Sequence, residues 1–393
     1  MSSAQIDHRL RRARAAVFAA FTLSGVLLAL WVVHIPAIIG RTGVSVSMLS
    51  VLVLLMAAGA LVGMRLAGPA ADRFGSRTLV AVAAAVISVT VLGPGLATGP
   101  VTLAIALVCF GFGNGALDVS MNAQAVQVER AYRRPIMSAF HAMFSAGGFL
   151  GSLLGAAAQH AGWAPELTLT CATIGGLLIT AALVPQLVGE SPSPTEHYET
   201  DASSRLRTER HNRTRTVLTL GGIAFVLLLA EGVAADWSAL QVRERLGTSE
   251  AGAALAFGAF SATMTIGRFL ADRVSAALGP VAIVRYGSLL AAAGFAVAIA
   301  SPWLPLTLLG WAMCGLGLAG GVPQIFTTAG NLGGSKAATD MSRVFTIGYL
   351  GLLAGPTVIG WLAAIVPLTA TLIIPLILTL ACAAAADTVT PKK

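Results

Sequence analysis

The chain alternates between apolar runs of helix length and short polar breaks. A helix needs about 20 predominantly apolar residues to cross the hydrocarbon core of a bilayer. Twelve runs meet that length. They begin near Ala16, Val46, Leu79, Val101, Ile136 and Leu167, and again near Thr216, Gly252, Val281, Leu304, Ser342 and Leu368. None alternates with the period of two that barrel strands require, so the pattern predicts an all-α membrane protein. The rhythm fails once, at residues 190–215, where Ser191-Pro192-Ser193-Pro194 precedes a charged run. Such a stretch between two apolar blocks is a tether, expected to be unstructured and cytoplasmic. The chain then divides into a tail (1–15), a six-helix bundle (16–189), a linker (190–215), a second six-helix bundle (216–387) and a tail (388–393).

Composition supports the same solvent. Of the 393 residues 56% are hydrophobic and 11% charged, whereas a soluble domain carries about 25% charged residues. The net charge of +8 points to membrane orientation rather than to nucleic acid, because the basic residues sit between apolar runs. Of the 25 Lys and Arg, only Arg41, Arg243 and Arg245 fall outside if the N-terminus is inside. Cytoplasmic retention of basic loops therefore predicts an inner-membrane protein with both ends in the cytoplasm. Cys109, Cys171, Cys314 and Cys382 lie far apart within apolar runs and read as buried thiols. There is no CxxC and no phosphate-cradling Gly-rich GK[ST] loop, so no cofactor, metal or enzymatic chemistry is expected.

The halves repeat. Ala71-Asp72-Arg73 follows the second span and Ala271-Asp272-Arg273 the eighth; Gly147 and Gly151 recur as Gly351 and Gly355. Internal repeats mark transporter folds, with the solute site near the midplane.

Gly68-Pro69-Ala70-Ala71-Asp72-Arg73-Phe74-Gly75-Ser76-Arg77 resembles the signature of the major facilitator superfamily between its second and third helices. The resemblance implies twelve helices in two pseudo-symmetric bundles. It also implies a cytoplasmic gate at Gly68, Asp72, Arg73, Gly75 and Arg77, with a looser copy at Asp272 and Arg273. An aspartate beside a helix N-terminus suits such a gate, since the dipole favours an anion there, and arginines can bridge to neighbouring helices. Asp118-Val119-Ser120-Met121-Asn122 is similar to an element of the fucose–proton symporter group. Together with Trp31 to Pro36, Ser138 to His141 and Glu231 to Ser238, it resembles a bacterial branch linked to rhizopine (inositol-derivative) metabolism. His34 stands where that branch more often has Arg.

Charged groups inside a span are costly and default to function or specific pairing. Asn114, Asp118, Asn122 and Glu129 fall within about 80° of one helix face, a polar stripe expected to face the central cavity. Asp118, Glu231 and His141 are the candidate proton-coupling residues, with Glu231 read equally as a polar solute ligand; the bland alternatives are a structural hydrogen bond for Asp118, a structural pair for Glu231 and a neutral packed histidine for His141. Trp31, His34, Asn114 and Asn122 are candidate solute contacts, although Trp31 also suits an interfacial anchor. The resulting expectation is a monomeric secondary transporter that moves a small sugar- or cyclitol-like solute across the lipid bilayer together with protons. An exporter of apolar compounds and a non-transporting receptor are the alternatives.

Overall fold

The computed structural model describes residues 8–189, 203–332 and 336–390. Among them are twelve helices long and apolar enough to cross a membrane. We number them α1 (His8–Thr42), α2 (Met48–Phe74), α3 (Ser76–Leu96), α4 (Pro100–Tyr132), α5 (Met137–His160) and α6 (Pro165–Gln186), then α7 (Arg213–Leu246), α8 (Glu250–Leu278), α9 (Pro280–Ala300), α10 (Leu304–Gly330), α11 (Ala337–Ala363) and α12 (Leu368–Val389). No strand occurs among the described residues. In hydrocarbon each backbone N–H and C=O must be satisfied within the protein, and a helix does this within itself.

Two boundaries differ from the sequence expectation. Helix α1 is already formed at His8, the first described residue, because Arg, Leu and Ala are strong helix formers and carry the helix beyond the apolar run. The helix that becomes α7 is already formed at Ser203, the first described residue of that stretch, so the end of the expected linker is helical. The linker stretch 190–202 and the tail residues 1–7 and 391–393 lie outside the described residues.

The chain forms two compact units. One comprises residues 1–134, 140–193 and 334–342; the other comprises 135–139, 194–333 and 343–393. Residues 135–139, reaching the start of α5, thus group with the second unit, and residues 334–342, at the start of α11, with the first.

Lipid tails are as apolar as leucine, so helices gain little hydrophobic energy from meeting and associate by close packing at small residues. In the first unit Gly147 and Gly151 lie against the Thr22 and Val26 carbonyls of α1. In the second, Gly351 and Gly355 lie against the Phe225 and Leu229 carbonyls of α7. The glycine repeat read from the sequence is therefore one helix contact made twice. The α2–α4 contact is as close: a Cβ on Gly111 or Gly115 would overlap the carbonyl of Met56 or Ala60.

Gly75 makes the turn from α2 to α3 at φ 90° and ψ 142°, a conformation that only glycine adopts without strain. Gly279 makes the corresponding turn from α8 to α9 at φ 83° and ψ 164°. Gly75→Ala is expected to destabilise the folded chain by about 1–3 kcal/mol. Thermal unfolding in detergent, with Gly43→Ala as a second positive-φ site, measures it.

The three arginines that the orientation rule leaves outside are each engaged. Arg41 pairs with Glu166 and donates to the carbonyls of Pro94 and Ala97. Arg245 donates to the Ser301 carbonyl, and Arg243 lies 3.2 Å from Glu250. Arg41 and Arg245 are a further repeat: each ties the end of its unit's first helix to the end of the third.

Two expectations about side chains are corrected. Cys109 and Cys171 are exposed, and only Cys314 and Cys382 are buried; a thiol is apolar enough to lie on the outer surface of a spanning helix. Arg268 is not an inner-loop cation, because it lies within α8 and pairs with Glu231.

Candidate functional site

The first unit gathers its polar side chains around α4. From Gly113 to Val128 that helix is buried on nearly all sides, and Asp118 and Asn122 keep 7% and 0% exposure. A polar group placed there must find partners inside the protein. Asn122 lies one turn beyond Asp118, and its Nδ2 donates to the Asp118 backbone carbonyl at 2.9 Å and to Asp118 Oδ1 at 3.1 Å. Its own Oδ1 lies 3.2 Å from His141 Nε2 on α5. An amide oxygen only accepts, so His141 carries its proton on Nε2. The imidazole meets the Phe21 ring of α1 edge-on, with centroids 5.2 Å apart. Asp118, Asn122 and His141 thus form one hydrogen-bonded chain across two helices. One turn before Asp118, Asn114 Oδ1 accepts from Ser24 of α1 at 3.3 Å.

Trp31 and His34 are fully buried on α1 but stand apart from this chain. Ten residues, about 15 Å of helix, separate His34 from Ser24. His34 Nδ1 lies 2.8 Å from the Leu30 carbonyl, to which it donates, and its buried Nε2 has no partner among the described residues. The structure therefore unites Asn114 and Asn122 with the Asp118 region and does not unite Trp31 and His34 with it.

In the second unit, Glu231 near the middle of α7 faces Arg268 of α8, with Oε1 and Nη2 3.1 Å apart. Asp236, toward the other end of α7, is exposed.

The signature residues have separate tasks. Asp72 accepts the backbone N–H groups of Ala338 and Thr339, both at 2.9 Å, at the first turn of α11. Asp272 accepts those of Ser138 and Ala139, at 2.9 and 2.7 Å, at the first turn of α5. Each carboxylate satisfies orphan donors at the positive end of a helix dipole. The two sets match under a shift of 200 positions: 72 with 272, and 338 and 339 with 138 and 139. A Cβ on Gly68 would overlap the Ser342 side chain, so glycine lets α2 reach the start of α11. Arg73 lies over the Phe74 ring at 5.0 Å. Arg73, Arg77 and Arg273 form no ion pair among the described residues, in contrast to the bridging expected of them.

The model of the Major Facilitator Superfamily matches residues 15–235. The chain belongs to the major facilitator superfamily. An uncharacterised MFS-type transporter of Yersinia pestis is 32% identical over 371 residues, 94% of each chain. Membrane protein MosC of Rhizobium meliloti is 33% identical over 351 residues, covering 88% of this chain and 83% of that one. Among solved structures, the E. coli fucose:proton symporter FucP, in its outward conformation, superimposes with a TM-score of 0.78. That match covers 96% of this chain and 98% of FucP at 14% identity, a likeness of fold.

As a major facilitator protein, the chain is a multi-pass membrane transporter and not an enzyme. Three of its polar contacts were not read from the sequence. Ser24 looked like one of many small residues on α1. Arg268 looked like a loop cation beside Asp272. Gln124, which links Ser76 of α3 to the backbone of Val188 beyond α6, lies one turn from Ser120 and carried no motif. Its recurrence as Gln324, hydrogen-bonded to Ser275 at 2.9 Å, is a signal that the 200-residue repeat offered.

Proposed function

We propose that this protein moves a small polyhydroxylated solute across the inner membrane together with protons. The observation that carries the reading is the buried Asp118–Asn122–His141 chain. A carboxyl among apolar helices is costly and calls for a function. Asp118 takes up a proton from one compartment and gives it to the other, while Asn122 and His141 orient the carboxyl. Glu231, held by Arg268, is set to answer the solute rather than to carry the proton. Half-buried Asn114 offers an amide contact to a hydroxyl group, whereas the amide of Asn122 is already engaged by Asp118 and His141; the shared fold with a fucose:proton symporter favours a sugar- or cyclitol-like solute.

Alternating access on this reading requires the Asp72 and Asp272 caps to form in one state and break in the other. Because each cap is only a few charge-assisted hydrogen bonds, it holds a state without making it permanent. Both chain ends lie in the cytoplasm, and one chain is the unit of transport.

The test is reconstitution of the purified chain in proteoliposomes, with labelled L-fucose and myo-inositol outside and an inward proton gradient imposed. Uptake above the equilibrium level, abolished by collapsing the gradient, is expected for at least one solute. Uptake that ignores the gradient removes proton coupling, and failure of both solutes to cross removes the polyol reading.

A further inference from the structure

Arg268 lies in the interior of α8, on one face with Met264, Ala271, Asp272 and Ser275, all of which are buried. Ile266, Phe269 and Leu270 on the other side are exposed. At 3.6 residues per turn the buried set falls within about 60° of Arg268, and the exposed set lies about 100–160° away. The guanidinium therefore points away from lipid. It meets Glu231 at 3.1 Å, and the two side chains keep 17% and 22% of their surface accessible.

A strut between α7 and α8 does not need charges. Removing two ions from water costs several kcal/mol each, and two well-packed apolar side chains would join the helices as firmly. An ion pair held in the membrane interior, away from lipid yet still partly accessible, is placed to meet a polar solute.

We propose that Glu231 and Arg268 act as one recognition element for two adjacent hydroxyl groups of the solute. The inference rests on the polyol-transport reading and adds the residues of the second unit that read the solute. A carboxylate only accepts hydrogen bonds, at two oxygens; a guanidinium only donates, through five N–H groups in a fixed plane. A hydroxyl does both. One hydroxyl donates to Glu231, its neighbour accepts from Arg268, and a vicinal diol bridges the two ends of the pair. The site stays electrically balanced, so a neutral polyol enters without importing charge. An apolar compound would strip water from both ions and return no hydrogen bond, so the pair selects against it.

Full-length protein in detergent, with L-fucose, myo-inositol and the monodeoxy analogues of each as probes, tests this by calorimetric binding. At least two adjacent deoxy positions are expected to weaken wild-type binding by about tenfold or more, the cost of leaving a charged partner unmet. Glu231→Gln should lose discrimination at one of these positions and Arg268→Lys at its neighbour. The double variant Arg268→Met with Glu231→Leu leaves no lone charge, so it remains folded by size-exclusion chromatography and treats parent and analogue alike at both positions. Equal deoxy penalties in wild type and all variants overturn the element while leaving the transport reading intact. Failure of the wild type to bind either parent polyol removes the polyol reading and this inference with it.

Discussion

Asp118→Asn is expected to abolish uphill solute accumulation while leaving downhill exchange in place. Asparagine matches aspartate in shape, and its side-chain oxygen can still accept from Asn122 Nδ2, the bond that measures 3.1 Å in the wild type. The helix, the amide contact and the His141 link all survive the change. Only the group that binds and releases a proton is lost. One pH unit is worth about 1.4 kcal/mol per proton, so a wild type that couples one proton to one solute concentrates it up to about tenfold per unit of gradient. In proteoliposomes the variant should reach only the equilibrium level, and its exchange of internal for external solute should stay within about threefold of wild type, since hydrogen-bonded contacts change by less than a kcal/mol. Full accumulation by Asp118→Asn would falsify the proton assignment. A parallel loss of exchange would show that Asp118 binds the solute instead.

The largest stability effect is expected at Gly115. A Cβ there would overlap the Ala60 carbonyl of α2, and the neighbouring Gly111 faces the Met56 carbonyl in the same way. Neither obstacle is the end of a flexible side chain, so relief requires the helices to move apart. Separation opens the contact at Gly59 and Gly63, which lie against the Val108 and Phe112 carbonyls. Overpacking of this kind costs about 1–3 kcal/mol and sometimes more. Gly115→Leu adds a whole side chain and is expected to leave little folded protein. Gly175→Ala on α6 is the control, because nothing lies within 4 Å of a Cβ at that position. It should be neutral or gain up to about 1 kcal/mol of helix propensity. Fluorescence-detected size-exclusion chromatography across a temperature series separates the outcomes; equal midpoints for Gly115→Ala and Gly175→Ala would show that the α2–α4 spacing is not limiting. Because Asp118 follows Gly115 by three residues on α4, any Gly115 variant that folds should also transport poorly.

The readable parts of this protein are those with a local signature. Twelve apolar runs of sufficient length became twelve helices, because span length depends only on the thickness of the hydrocarbon core. The Asp118–Asn122 contact was also legible, since residues four apart share a helix face. Gly75 could be read from its motif, and its positive φ supplies the reason the motif holds glycine there. The limits appeared where the sequence pattern ended before the helix did. Basic residues 9–14 and 203–215 read as tail and linker, yet both form helix through residue 8 and residue 203 onward; hydropathy registers the solvent of a helix, not its length.

What the amino-acid order determined by itself is the solvent of the chain, the number of its helices, its internal repeat and the superfamily to which it belongs. Each follows from the composition of short segments or from their recurrence. Which side chains meet was decided only by tertiary packing. Glu231 and Arg268 are 37 positions apart and face one another because α7 and α8 pack in one register; a slip of two residues would turn Arg268 toward lipid. Asp72 meets a helix start 266 and 267 positions away, a separation no local pattern encodes. The physical reason is range: transfer into lipid is a property of a segment, whereas a hydrogen bond or ion pair requires two segments placed to within a few tenths of an ångström.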